Sequence, residues 1–216
     1  MRHLAWLSLG FSALAQPVSV AAQVPGACDT PVAARLGPVG CYFLDTLQLS
    51  PVPSGPLYWY IYTPADSTAV AAPTSRAIHA HGHTWLVALA GALAHFPGTL
   101  VARIGPIPRP NHPGPLIARF MESTLTPGLR TRLHAHPGPE AWYLLSGAQC
   151  VETPRGEQHV SATQSLVVDG DQPMVLTATG SDTLRSLILV LHASTQPWID
   201  RSPAGWEPPG TCRAGS

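Results

Sequence analysis

The sequence predicts an all-β protein of short strands, and three observations carry that prediction. Twenty-four Pro and 19 Gly among 216 residues interrupt the chain too often for long helices. From Leu116 onwards, short apolar runs alternate with turn residues at intervals of about 8 to 12 residues, as in a sandwich or barrel. Hydrophobic residues make up 45% of the chain and charged residues 11%, so one domain with a sizeable core and an elaborated N-terminal part is expected.

The elements follow in order. Residues 1–22 read as a signal peptide: Arg2 and His3, an apolar stretch over 4–15, then small residues suited to cleavage after Ala22 or, less favourably, after Ala15. The stretch is shorter than the roughly 20 residues that cross a bilayer, and no later segment is long and apolar enough, so no membrane span is expected. Cys28 lacks the upstream leucine of a lipid-anchor site. A secreted or periplasmic location follows.

Residues 23–114 are expected to form an N-terminal β-rich extension containing one short helix. Runs 41–46 and 57–62 look like strands, the second rich in aromatics. Thr63-Pro64-Ala65-Asp66 has the form of a helix start, with a hydroxyl cap and Pro at the first helical position, and Pro73 would stop the helix after Ala72. Strands are expected again over 78–89 and 100–104, before a Pro/Gly break over 105–115. The barrel is expected over 115–198, with strands at 116–125, 129–136, 141–145, 149–153, 158–161, 165–168, 174–177 and 184–192. Residues 199–216 read as a Pro/Gly-rich tail.

All twelve basic residues are Arg, balanced by twelve acidic ones. No basic field draws nucleic acid, and the absence of Lys excludes Schiff-base chemistry. Four cysteines in an exported chain suggest two disulfides. Cys28 with Cys41 would close a local loop, and Cys150 with Cys212 would tie down the tail.

The chemistry concentrates in one segment, from Gly128 through His134-Ala135-His136-Pro137-Gly138-Pro139-Glu140 to Gly147. Residues two apart on a strand share a face, so His134 and His136 can converge, and a turn at Pro137-Gly138 would return Glu140 beside them. Two imidazoles and a carboxylate are the ligand set of many catalytic metal centres with open positions. The spacing, Gly, five residues, His, one, His, three, Glu, six, Gly, resembles the first motif of the cupin superfamily. That resemblance implies a jelly-roll β-barrel, the double-stranded β-helix, holding a divalent metal (Fe, Mn, Zn or Ni) through His134, His136 and Glu140.

The second motif of that superfamily supplies a fourth ligand histidine. Here Pro173 or Met174 stands in its place, depending on register, and neither is a good donor for hard or borderline metals. Three readings follow: a three-ligand metal site, a site completed by another residue such as His192, or a polar network without metal. Outside this segment, His79, His81 and His83 alternate, which suits either a second metal site or, given Gly82, a loop. Of Trp142 and Tyr143, one is expected in the core and the other at the surface. Arg130 and Arg132 share a face with His134 by alternation. His159, His192 and Tyr143 are the acid–base candidates.

The functional expectation is a metal-binding protein that binds or acts on a small organic molecule, as a metal-dependent oxygenase, isomerase or lyase if an enzyme. A homodimer is compatible with it. The alternative is a non-catalytic ligand-binding or structural protein with a vestigial site.

Overall fold

In the computed structural model, which describes residues 24, 28–65 and 72–215, regular structure consists of twelve strands and one 3-10 turn. The strands are β1 (Gly40–Leu49), β2 (Leu57–Thr63), β3 (Ser75–Ala80), β4 (His83–Ala90), β5 (Thr99–Ile107) and β6 (Leu116–Leu125). They continue as β7 (Glu140–Ser146), β8 (Ala148–Thr153), β9 (Gly156–Ser161), β10 (Ser165–Val168), β11 (Val175–Thr179) and β12 (Leu184–Ala193). The expected signal peptide and residues 66–71 of the expected helix lie outside the described residues. Pro64 and Ala65, which would open that helix, leave β2 as a loop.

Three antiparallel sheets result, in the orders β1-β6-β12-β7-β10, β11-β8-β9 and β3-β4-β2-β5. The five-stranded sheet is the middle layer. On one face Ala118, Phe120, Tyr143, Leu187, Leu189 and Leu191 pack against Trp59, Ile61, Val87 and Leu89 of the four-stranded sheet. On the other, Met121, Trp142, Leu144, Ile188 and Val190 meet Val151, Val160, Leu176 and Ala178 of the three-stranded sheet, which closes the barrel. A strand buried on both faces reads as a continuous apolar run, as in Leu187-Ile188-Leu189-Val190-Leu191. For the same reason Trp142 and Tyr143 are both buried, contrary to the expectation that one would face solvent. Although β1 precedes residue 115, it runs along β6 as an edge of the middle sheet.

Two expected strands differ. Run 78–89 is a hairpin: β3 turns into β4 through His81 and Gly82, whose φ angles of 52° and 80° fit a two-residue type I′ turn. Segment 129–136 is extended but is no ladder strand. Arg130 and His134 bridge Thr177 and Met174, whereas Ala135 bridges Asp200 of the tail, so the partner changes along the segment. Both expected disulfides form, Cys28–Cys41 and Cys150–Cys212.

Candidate metal centre

The irregular backbone of 129–136 is what positions the site. Reciprocal backbone hydrogen bonds hold His134 to Met174, and the Asp171 N–H donates to the His136 carbonyl at 2.7 Å. The Pro137-Gly138 turn then presses onto β12, where a Cβ on Gly138 would meet the Leu191 carbonyl oxygen at 1.9 Å. Only glycine permits that approach. It sets Glu140 as the first residue of β7, paired with Val168 and Val190 and directed, like Trp142, into the barrel.

His136 and Glu140 are buried and His134 is partly so. His136 Nε2 lies 3.1 Å and His134 Nε2 3.9 Å from Glu140 Oε2, and the three ligand atoms fall within 4.8 Å of one another. The other nitrogen of each ring is spoken for: His134 Nδ1 donates to the Arg132 carbonyl at 2.8 Å and His136 Nδ1 to the Trp198 carbonyl at 2.7 Å. A carbonyl only accepts, so in the neutral rings the protons sit on Nδ1 and both Nε2 atoms present lone pairs. Glu140 Oε2 is buried and accepts no aligned hydrogen bond. Two nitrogen lone pairs and a carboxylate oxygen thus converge without a proton between them, an arrangement that repels itself unless a cation sits at the centre.

Burial pushes the Glu140 carboxyl up, but once the rings are protonated, positive charge on His136 and hydrogen bonds from both imidazoles outweigh it and hold the group at about 2. A divalent cation at the same point supplies that charge as well. The donor set, two nitrogens and one oxygen, fits a first-row divalent metal.

Met174, one of the two residues where the sequence lacks a ligand histidine, is buried and pairs with His134 across the bridge. His192 does not complete the shell. Its Nδ1 bonds to the adjacent Ala193 carbonyl, and burial lowers its pKa. His79, His81 and His83 do not converge either. His81 turns its Nε2 to the Ser186 carbonyl at 3.1 Å and His83 sits edge-on to Trp85. Among the described residues one further group gathers, Cys150, Glu157 and His159, but the Cys150 sulfur is spent in its disulfide.

The triad borders a cavity of about 670 Å³. Trp142, Leu125, Leu176 and Ile188 form apolar walls, and Ser123, Thr131, Arg132, Arg201 and Ser202 contribute polar groups. None of the acid–base candidates Tyr143, His159 and His192 lines it. Arg130 is drawn off to Glu152 at 3.4 Å. Trp198 is the residue that sequence reasoning missed. Its ring stacks on His136 with centroids 5.4 Å apart, its Nε1 donates to Asp29 at 3.1 Å, and Arg119 lies 4.4 Å over it. A large aromatic in a Pro-rich segment was the available signal, since such side chains seldom stay in water.

No protein-family model and no curated protein matches the chain. Solved structures do match in part. A double-stranded β-helix protein from Klebsiella pneumoniae is 16% identical, with a TM-score of 0.35 over 39% of this chain and 70% of that one. A DMSP lyase is 20% identical, with a TM-score of 0.35 over 40% of this chain and 44% of that one. A cupin-like protein from Thermotoga maritima is 14% identical, with a TM-score of 0.35 over 39% and 64%. The match spans less than two thirds of the last two proteins. What the strand order and packing of this chain show by themselves is an all-β fold in which the five-stranded and three-stranded antiparallel sheets face each other as a barrel.

Proposed function

We propose that the protein binds one divalent metal ion through His134 Nε2, His136 Nε2 and Glu140 Oε2, and presents it to a small organic molecule held in the adjoining cavity. The observation that carries this reading is the convergence of three ligand atoms within 4.8 Å of one another, one of them a buried carboxylate oxygen without a hydrogen bond. Such a metal, when bound, supplies Lewis-acid polarisation of a coordinated oxygen, or redox chemistry if it is iron. The chain's own contributions are orientation and exclusion of water. The carbonyls of Arg132 and Trp198 fix both imidazole tautomers, and Trp142, Leu125, Leu176 and Ile188 give the cavity apolar walls.

The expected export signal and two disulfides support action in an oxidising compartment outside the cytoplasm. Metal content of the purified mature protein, measured beside His134→Ala and Glu140→Ala, tests the reading. About one equivalent in wild type and loss in both variants is expected. Wild type free of stoichiometric metal after supplementation with iron, manganese, zinc and nickel would refute it.

The second reading, a ligand-binding protein with a vestigial centre, draws on Met174. A thioether opposite His134 weakens the shell for borderline metals. The same metal measurement separates the two.

A further inference from the structure

We infer that the outer face of the three-stranded sheet carries a second, thiol-dependent metal site: in the reduced chain Cys150, Cys212, His159 and Glu157 bind one thiophilic divalent cation of the zinc type, and closing the Cys150–Cys212 bridge expels it. Cys150 and His159 stand directly opposite each other on β8 and β9, and Glu157, two residues before His159, shares its face. The Cys150 sulfur is 3.6 Å from His159 Nε2, which is 3.4 Å from Glu157 Oε1, and the three ligand atoms fall within 4.8 Å of one another. In a tetrahedral zinc site, with bonds of about 2.3 Å to sulfur and about 2.0–2.2 Å to nitrogen and oxygen, neighbouring ligand atoms are about 3.3–3.8 Å apart. Strand pairing therefore sets His159 at that spacing from both its neighbours.

The fourth donor belongs to the tail. Cys212 is joined to Cys150, and the residue before it is held to the sheet by contacts that involve no sulfur. The Thr211 N–H donates to Glu152 Oε1 at 2.8 Å, and the Thr211 hydroxyl donates to Glu157 Oε2 at 2.6 Å. Glu152 is itself buried and paired with Arg130 at 3.4 Å. Reduction therefore frees two thiols that remain neighbours, while the Thr211 hydroxyl leaves the other Glu157 oxygen for the metal. Glu157 and His159 are about half exposed, which gives a cation a way in. Around the other bridge, Cys28–Cys41, no such group of donors gathers among the described residues.

Two thiolates, an imidazole and a carboxylate form a softer set than the triad and favour zinc over harder divalent metals. Binding releases one proton from each thiol as the two sulfur–metal bonds form. On oxidation by an external disulfide, the two thiolates give up two electrons and join as Cys150–Cys212. The oxidant takes those electrons with two protons and leaves as two thiols, and the cation departs. A dithiol reductant runs the exchange backwards. With the bridge closed, one imidazole and one carboxylate are left, fewer donors than His134, His136 and Glu140 offer. The site thus belongs to the chain before its bridges close, and it stands or falls apart from the metal-centre reading.

Cobalt(II) is the probe, because thiolate ligation gives a near-ultraviolet charge-transfer band that the triad, which has no sulfur, cannot produce. The mature protein is reduced with a dithiol, desalted without oxygen and titrated with cobalt, then with zinc as competitor. His134→Ala, His159→Ala, Glu157→Gln and the double variant Cys28→Ser/Cys41→Ser are treated alike. About one equivalent of band-forming cobalt, displaced by zinc, is expected in reduced wild type, in His134→Ala and in the double variant, and no band in unreduced protein. His159→Ala should bind at least about tenfold more weakly and Glu157→Gln about three- to tenfold. No band in reduced wild type, its loss in His134→Ala, or equal affinity in His159→Ala and wild type would overturn the inference. So would its loss in a double variant whose near-ultraviolet circular dichroism is intact. A reduced wild type that loses that dichroism and does not regain it on adding zinc would overturn it as well.

Discussion

The two faces of the middle sheet carry opposite designs on the same strands. Toward the four-stranded sheet, Phe120, Leu187 and Leu189 are buried against Trp59 and Ile61, and this layer is filled with apolar atoms. Toward the barrel interior, Ser123 of β6, Glu140 and Trp142 of β7 and Ile188 of β12 border a cavity that mixes polar and apolar groups. Alternation along a strand lets one backbone serve both ends, since neighbouring side chains never share a face. The sealed face supplies stability, and the hollow face spends part of it on a site.

The sharpest way to break this contrast is to hollow the sealed face. Phe120→Ala should cost about 3–5 kcal/mol in denaturant unfolding. The folded fraction should keep its metal, because Phe120 belongs to the apolar layer against the four-stranded sheet and not to the triad. Loss of metal from fully folded Phe120→Ala would show that the faces are not independent.

Filling the open shell tests the other side. Met174→His places an imidazole opposite His134. It is expected to raise metal affinity about tenfold or more, at a cost of about 1–3 kcal/mol to the metal-free protein for burying a polar ring. Competition with a chromophoric chelator reads the first effect and urea unfolding the second.

These two substitutions also mark what could be read from the sequence. The strand rhythm after Leu116 was legible because turn residues punctuate it, and the hairpin of the triad because its spacing is intact. Segment 129–136 was not, since its apolar alternation hides that its hydrogen-bond partners switch from Met174 to Asp200. The β3–β4 hairpin was hidden too: His81 takes a left-handed φ that Asn or Gly more often signals. The burial of Tyr143 depends on a second sheet whose placement no local pattern encodes. Trp198 reaches His136 across 62 residues, beyond any spacing rule.

A smaller effect is set by pH. Glu140 falls from an ordinary 4.5 to about 2 in the folded protein, so its folded pKa is depressed. In the metal-free protein its stabilising contribution is therefore complete above about pH 4.5 and is lost as pH falls toward about 2. Urea midpoints between those limits should drop more steeply for wild type than for Glu140→Gln. Parallel profiles would mean that the carboxylate is not held ionised by its neighbours.

The smallest effect concerns the strap that links the hollow face to the tail. Asp29→Asn weakens its pairing with Arg201 and leaves Trp198 less firmly seated on His136. Being half exposed, this pair should be worth only about 0.5–1 kcal/mol in urea unfolding. Metal affinity should fall about two- to fivefold, as expected for loosening a group that orients a ligand.

X-ray absorption spectroscopy of the metal-loaded protein addresses the central claim directly, because imidazole rings give a distinctive multiple-scattering pattern. Two imidazoles with the remaining positions filled by oxygen, falling to one imidazole in His134→Ala, is the result predicted from the geometry of His134, His136 and Glu140. A bound metal with no imidazole scattering, or with sulfur in its shell, would contradict it.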